Sequence, residues 1–201
     1  MRVRSLEDII RKANEAIEND GWLLVAILGE KGHGKSTLAL RLAKYILQAE
    51  WSEVLRHLIF TVHDYFNLPY RSLIRDSYGR VKCVVWDDFA LHSSVYRFMT
   101  SDNKYLAAFI EDFEAVREDI AVMIITCATP EMLSPKLRDQ FKIILDCYTR
   151  GKAKIYCKSR LLWFVNKLTR TGMIEFPRIP EDVYREYEEL KKRAKAAKSY
   201  E

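Results

Sequence analysis

Apolar residues in this chain gather into short unbroken runs. Leu23-Leu24-Val25-Ala26-Ile27-Leu28, Leu58-Ile59-Phe60-Thr61-Val62, Val81-Lys82-Cys83-Val84-Val85-Trp86, Ala121-Val122-Met123-Ile124-Ile125-Thr126 and Phe141-Lys142-Ile143-Ile144-Leu145-Asp146-Cys147 are each strand-sized. Near-continuous apolar strands suit a parallel sheet covered on both faces. The segments between them carry helical signals. Ser5 with Asp8 predicts a capped helix running through Asn19 and stopped at Gly21, and a second helix runs from Thr37 to about Glu50. Tyr65–Tyr78 predicts a helix broken near Pro69. Leu106, Phe109, Ile110, Phe113 and Val116 recur at helical spacing, so Lys104–Arg117 predicts an amphipathic helix. Together these elements predict a three-layer α/β/α domain over residues 1–150 with a largely parallel five-stranded sheet.

Beyond Tyr148 the pattern changes. Thr149-Arg150-Gly151-Lys152 reads as a turn and Ala153–Cys157 as a returning strand. Residues 161–176 fit either strands around Thr171-Gly172 or a helix followed by one strand. Val183, Tyr187, Leu190, Ala194 and Ala197 then mark the apolar stripe of a terminal helix. Residues 151–201 are therefore expected to form a C-terminal extension of a hairpin and a basic helix.

Charge sharpens that division. Of the net +5, residues 151–201 contribute +6 and residues 1–150 contribute −1. Residues 151–172 hold six basic side chains and no acidic one: Lys152, Lys154, Lys158, Arg160, Lys167 and Arg170, with Tyr156 and Trp163 interleaved. Such a segment can track a phosphate backbone and stack bases. The bland alternative is a solvated face, which the Glu188 and Glu189 spacing to Lys192 and Arg193 supports for the helix.

The remaining composition excludes several classes. No apolar run is long enough to span a membrane. The charged N-terminus lacks the apolar core of a signal peptide, so the protein is expected in the cytoplasm. Cys83, Cys127, Cys147 and Cys157 show no C-x-x-C spacing and read as buried thiols rather than zinc ligands. Only two glutamines, Gln48 and Gln140, in a Lys-, Arg- and Glu-rich chain suit a thermophile.

The chemistry lies in Gly29-Glu30-Lys31-Gly32-His33-Gly34-Lys35-Ser36, which fits the phosphate-binding pattern G-x-x-x-x-G-K-[ST] at every fixed position. A strand leads in and a helix starting at Thr37 leads out, so backbone N–H groups and a helix N-terminus converge on phosphate. Gly32 and Gly34 keep side chains clear. Lys35 would reach the β- and γ-phosphates and Ser36 would ligate Mg²⁺. This pattern in this setting marks a P-loop NTPase.

Asp87 and Asp88 close an apolar strand in the manner of a Walker B motif: Asp87 for the metal, Asp88 for the attacking water. Thr126 ends the next strand, 39 residues beyond Asp87, where a polar group can meet the γ-phosphate or that water. Arg138, leading into the fifth strand, can reach a neighbouring subunit's nucleotide. His33 occupies a variable loop position, expected to face solvent. His63-Asp64 ends the second strand as a candidate supporting pair.

The phosphate loop, the Val84-Val85-Trp86-Asp87-Asp88 strand and Thr126 together resemble the ASCE division of P-loop ATPases over residues 20–148. The paired aspartates are similar to the AAA+ helicase-loader, initiator and transposition-helper group. That resemblance implies ATP hydrolysis between subunits of a ring or filament acting on DNA or a DNA-bound protein. Two departures keep a second branch open. Gln140 stands where AAA+ proteins often carry their finger arginine, and the C-terminal residues do not read as a helical lid. A hairpin after strand five instead resembles RecA-like translocating or packaging motors. A small-molecule kinase and a non-hydrolysing nucleotide switch are the other classes. The absence of an N-K-x-D guanine-reading motif favours ATP.

Overall fold

The computed structural model describes residues 3–89, 115–133, 135–162 and 165–197. Seven strands form one sheet: β1 (Leu23–Gly29), β2 (Leu58–Ile59), β3 (Val81–Trp86), β4 (Ile120–Thr126), β5 (Ile143–Thr149), β6 (Lys152–Leu162) and β7 (Val165–Glu175). Their order is β2-β3-β4-β1-β5-β6-β7. The first five run parallel, with Leu23 opposite Val122 and Val25 opposite Ile143; β6 and β7 run antiparallel. Every residue of β4, and every residue of β1 except Gly29, is buried. That is why these strands read as unbroken apolar runs rather than alternating ones.

The described helices are α1 (Leu6–Glu18), α2 (Lys35–Leu47), α3 (Trp51–Arg56), α4 (Val62–Phe66), α5 (Val116–Asp119), α6 (Pro135–Gln140) and α7 (Glu181–Ala197). Alternate residues of β1 divide the interior. Leu23, Val25 and Ile27 pack in one cluster with residues of α1, α2, α3 and α7. Leu24, Ala26 and Leu28 pack in the other with residues of α4, α5, α6 and Phe89. Each leucine, valine or isoleucine among them contributes roughly 1.5–3 kcal/mol of transfer free energy. None of the described helices is long and apolar enough to cross a membrane.

The expected three-layer α/β fold is present, with two strands more than the five anticipated. The returning hairpin is not a separate appendage, because β6 pairs along β5 and continues the sheet. Without β6, the edge of β5 would present unpaired backbone groups. Residues 165–175 are strand throughout, which resolves the choice left by the sequence. The second strand stops at Ile59 because Thr61 starts α4: its hydroxyl accepts from the Asp64 N–H, and the Asp64 carboxylate accepts from the N–H groups of Phe60 and Thr61. His63-Asp64 thus belongs to a helix cap, and Asp64 is occupied there. The helix after the phosphate loop ends at Leu47, where Gln48 adopts a left-handed cap, and α3 follows as a separate element. Ser5 caps α1 by accepting from the Asp8 N–H, as expected. Of the helix predicted over 104–117, residues 104–114 lie outside the described residues.

The C-terminal segment returns across the phosphate-loop helix. Phe176 donates its N–H to the Gly151 carbonyl, and the Arg41 guanidinium of α2 donates to the carbonyls of Pro177 and Arg178. Ile179, Val183 and Tyr187 are then buried in the cluster shared with α2 and α3. This seating brings α7 to the carboxyl ends of β1 and β3.

Candidate nucleotide site

The phosphate loop joins β1 to α2. Gly29 has φ +136°, and a Cβ there would overlap the Cys147 carbonyl on β5, so only glycine fits between the two strands. Gly34 sits at the N-cap of α2 with φ 89°. A Cβ on it would press to 3.3 Å against the Phe176 ring. The start of α2 leaves the N–H groups of Lys35, Ser36 and Thr37 without helical acceptors, the arrangement that receives an anion. Lys35 Nζ donates to the Gly29 and Glu30 carbonyls at 2.8 and 3.0 Å, folded back over its own loop. Glu30, Lys31 and Gly32 are exposed. His33 is half-buried rather than solvent-facing, and its Nδ1 lies 2.8 Å from the Cys147 carbonyl oxygen. The ring therefore ties the loop to β5.

Strand order assembles the rest. β4 lies between β1 and β3, so Thr126 stands between the loop and the paired aspartates. Asp87 is fully buried, and four donors meet its carboxylate. Ser36 Oγ and Thr126 Oγ1 each donate to Oδ1 at 2.8 Å. Tyr187 Oη and Lys191 Nζ donate to Oδ2 at 2.7 and 2.9 Å. Burial alone would raise the Asp87 pKa, but the Lys191 charge and the bonds from Tyr187, Lys191 and Thr126 outweigh it and hold the group below its ordinary value. Asp87 is an anion with its lone pairs engaged.

Asp88 turns away from the strand in the left-handed region, at φ 52°, which aspartate tolerates better than most residues. Its N–H donates to Thr126 Oγ1 at 2.9 Å, and its Oδ2 lies 2.7 Å from Lys191 Nζ. With 26% of its side chain exposed, Asp88 can meet a water that the buried Asp87 cannot. Thr126 therefore accepts from one aspartate's backbone and donates to the other's carboxylate.

Residues 25–114, which include the loop and both aspartates, match the sequence model of a family described as RNA helicase. The matched segment carries the phosphate-binding loop Gly29–Ser36 within an α/β fold. Similar solved structures include a DNA polymerase III gamma subunit-related protein of Thermotoga maritima, at 14% identity and TM-score 0.47, covering 70% of this chain and 45% of that one. The N-terminal domain of zonular occludens toxin from Neisseria meningitidis is similar at 14% identity and TM-score 0.43, covering 82% and 97%. A variant of RuvB from Thermotoga maritima is similar at 20% identity and TM-score 0.40, covering 72% and 48%. This chain spans less than half the length of the first of these. No curated protein sequence matches it.

The oxygen donors of Ser36 and Asp87 fit Mg²⁺, a hard cation that prefers such ligands, with the Asp88 carboxylate beside them. The structure itself supports this, since a cation, the Lys191 ammonium, already sits against both carboxylates. Among the described residues no cluster of His, Cys, Asp and Glu suits another metal. Cys83, Cys127 and Cys147 are buried and unpaired, and burial pushes the thiols of Cys127 and Cys147 up to about 12.

Arg138 does not join this cluster. It is exposed in the last turn of α6. The basic residues of the extension lie on the hairpin, where Lys152, Lys154, Tyr156 and Lys158 alternate with the buried Ala153 and Ile155. Lys152 pairs with Glu175, Lys154 lies over the Tyr148 ring at 4.7 Å, and Lys158 pairs with Asp139. Arg170 stands opposite Tyr156, while the side chains of Arg160 and Lys167 lie outside the description. A cleft lined by Gly29, Glu30, Thr129, Asp146, Tyr156 and Leu168 links the phosphate loop to this hairpin face.

Sequence reasoning missed Tyr187 and Lys191 as site residues. Tyr187 was legible as part of the apolar stripe, and Lys191 follows it by one helical turn on the same face as Val183. A lysine on a buried stripe signals a buried anion to meet it.

Proposed function

We propose that this chain is a P-loop NTPase that hydrolyses ATP and couples hydrolysis to work on DNA or a DNA-bound protein assembly, in the manner of AAA+ loaders and initiators. The observation that carries the reading is the 2.8 Å bond between Ser36 Oγ on the phosphate loop and Asp87 Oδ1 on β3, with Thr126 on the same oxygen. Three separate strands deliver the groups that ATP hydrolysis requires. Lys35 would leave the Gly29 and Glu30 carbonyls for the β- and γ-phosphates. Mg²⁺, held by the Ser36 hydroxyl and by Asp87 through water, would supply positive charge to the phosphate oxygens. Asp88, partly exposed, would accept the proton of the attacking water, and Thr126 would fix the backbone from which Asp88 projects. Arg138, exposed on α6, is the candidate to act on a neighbouring copy's nucleotide in a ring or filament.

In this reading residues 1–150 are the catalytic core and residues 151–201 the partner-facing extension. The hairpin face, with Lys154, Tyr156, Lys158 and Arg170, is the candidate nucleic-acid surface, since cations beside aromatic rings serve phosphate contact and base stacking. The hairpin after β5 favours a second reading, a RecA-like translocating or packaging motor. The deciding assay is ATP turnover without nucleic acid and with single-stranded DNA, duplex DNA or single-stranded RNA. The loader reading expects DNA stimulation of the wild type. It also expects Asp88→Asn to bind ATP while losing turnover. ATP-driven movement along duplex would select the motor instead. Turnover indifferent to every polymer would refute the nucleic-acid part, and normal turnover by Asp88→Asn would remove Asp88 from the chemistry.

A further inference from the structure

Resting on that reading of the site, we infer that Lys191 is a tethered cation that competes with the catalytic metal and must leave Asp87 and Asp88 before Mg²⁺·ATP can be held. Its ammonium lies 2.9 Å from Asp87 Oδ2, 2.7 Å from Asp88 Oδ2 and 2.8 Å from Tyr187 Oη. Asp87, with the Ser36 hydroxyl 2.8 Å away, offers the oxygens available to the metal, and Asp88 stands beside it. One lysine therefore neutralises the paired aspartates from within the same chain. Two positive charges cannot share that position at low cost, because Asp87 is buried and Lys191 is only 15% exposed.

The backbone need not move for the exchange. Ile179, Val183 and Tyr187 anchor α7 in the core, and Arg41 holds the segment leading into it. Lys191 lies one turn beyond that anchor, on a flexible four-carbon stem, with exposed Lys192 and Arg193 following it. Rotation of the stem alone releases both aspartates. Tyr187 remains on Asp87 and keeps the carboxylate oriented. Lys191 is thus a positioning residue that sets how much metal the site needs.

The apparent affinity for metal falls by the fraction of molecules whose carboxylates are free. If Lys191 holds them in nine molecules of ten, removing it lowers the half-saturating metal concentration on the order of tenfold. The test titrates Mn²⁺ into full-length wild type, Lys191→Met and Lys191→Arg in the presence of a non-hydrolysable ATP analogue. Free Mn²⁺ is read by its paramagnetic resonance signal. Binding of a fluorescent ATP analogue in chelator gives the metal-free affinity. The expected result is a midpoint about tenfold lower for Lys191→Met, an unchanged midpoint for Lys191→Arg, and equal metal-free affinities. Lys191→Gln serves in place of the methionine variant if that one does not fold. An unshifted Mn²⁺ midpoint, with analogue bound by all variants, overturns the competition alone. Weaker analogue binding by Lys191→Met with and without metal also overturns it, making Lys191 a phosphate ligand. If wild type binds no analogue, the nucleotide reading fails and the inference fails with it.

Discussion

Replacing Tyr187 with phenylalanine isolates one hydroxyl in the buried network. The ring stays: it packs 6.3 Å from Phe60 and 6.0 Å from Tyr184, and phenylalanine keeps both contacts. The lost hydroxyl donates to Asp87 Oδ2 at 2.7 Å and accepts from Lys191 at 2.8 Å. It also lies 3.0 Å from Ser36 Oγ, but with one proton to give it serves the charged acceptor. A hydrogen bond to a buried charge is worth about 1.5–3 kcal/mol. The remaining donors on Asp87 offset part of that loss, leaving an expected cost of about 2 kcal/mol. In a domain of this size 1 kcal/mol moves the melting temperature by roughly 2–4 °C, so Tyr187→Phe should melt about 4–8 °C lower. The assay is thermal unfolding by circular dichroism without nucleotide, with Asp87→Asn and the double variant completing a cycle. A melting temperature within about 1 °C of wild type, or no coupling between the two positions, would refute the docking of α7 onto the aspartates.

Other expectations follow from separate features. Gly29→Ala places a methyl group against the Cys147 carbonyl at an unfavourable φ, and denaturant titration should show a loss of at least about 2 kcal/mol. The pH dependence follows from the sign of each shift. Asp87 is held below its ordinary 3.8, so its contribution is complete above that pH and lost as pH falls toward the lower folded value. Lys191 is raised above its ordinary 10.5, burial being outweighed by Asp87, so its contribution is complete below 10.5 and lost only at higher pH. The melting advantage of wild type over Lys191→Met should then hold steady from about pH 5 to 9 and shrink below about pH 4; a steady decline across neutral pH would contradict this. On the hairpin, Lys154→Ala and Lys158→Ala should each reduce the salt slope of duplex-DNA binding by about 1, and an unchanged slope would mark those lysines as solvated.

The parallel sheet and the phosphate loop were legible because each rests on local pattern. A strand buried on both faces must be apolar throughout, and a phosphate-binding turn needs its glycines and Lys-Ser in fixed order. That Asp87, Asp88 and Thr126 lie together was legible for a related reason, since each ends or follows a buried strand on the same edge of the sheet. The hairpin's attachment was harder to read. Only the alternating burial of β5, a strand half-covered on one side, distinguishes it from the strands beside it. Tyr187 and Lys191 were hidden because their partner is 100 or more residues away. A tyrosine on a helical stripe reads as core, and a lysine beyond it reads as surface. What joins them to the site is the path of residues 176–180 across α2, set by carbonyl groups that carry no sequence signature.

The strand order has a kinetic consequence. β1 pairs with β4 and β5 on its two sides, so the strand that carries the phosphate loop meets neither neighbour until about a hundred further residues of chain are in play. Closing loops of that length costs entropy before any pairing is gained, which makes such sheets slow to form. The β6–β7 pair, by contrast, joins residues close in sequence, such as Leu162 opposite Val165, and can form on its own schedule. During synthesis the loop would remain unshaped until β5 had emerged, and Asp87 would gain its last two donors only when α7 arrived. The loop is thus shaped late in folding, and the tyrosine and lysine that close over the aspartates arrive last.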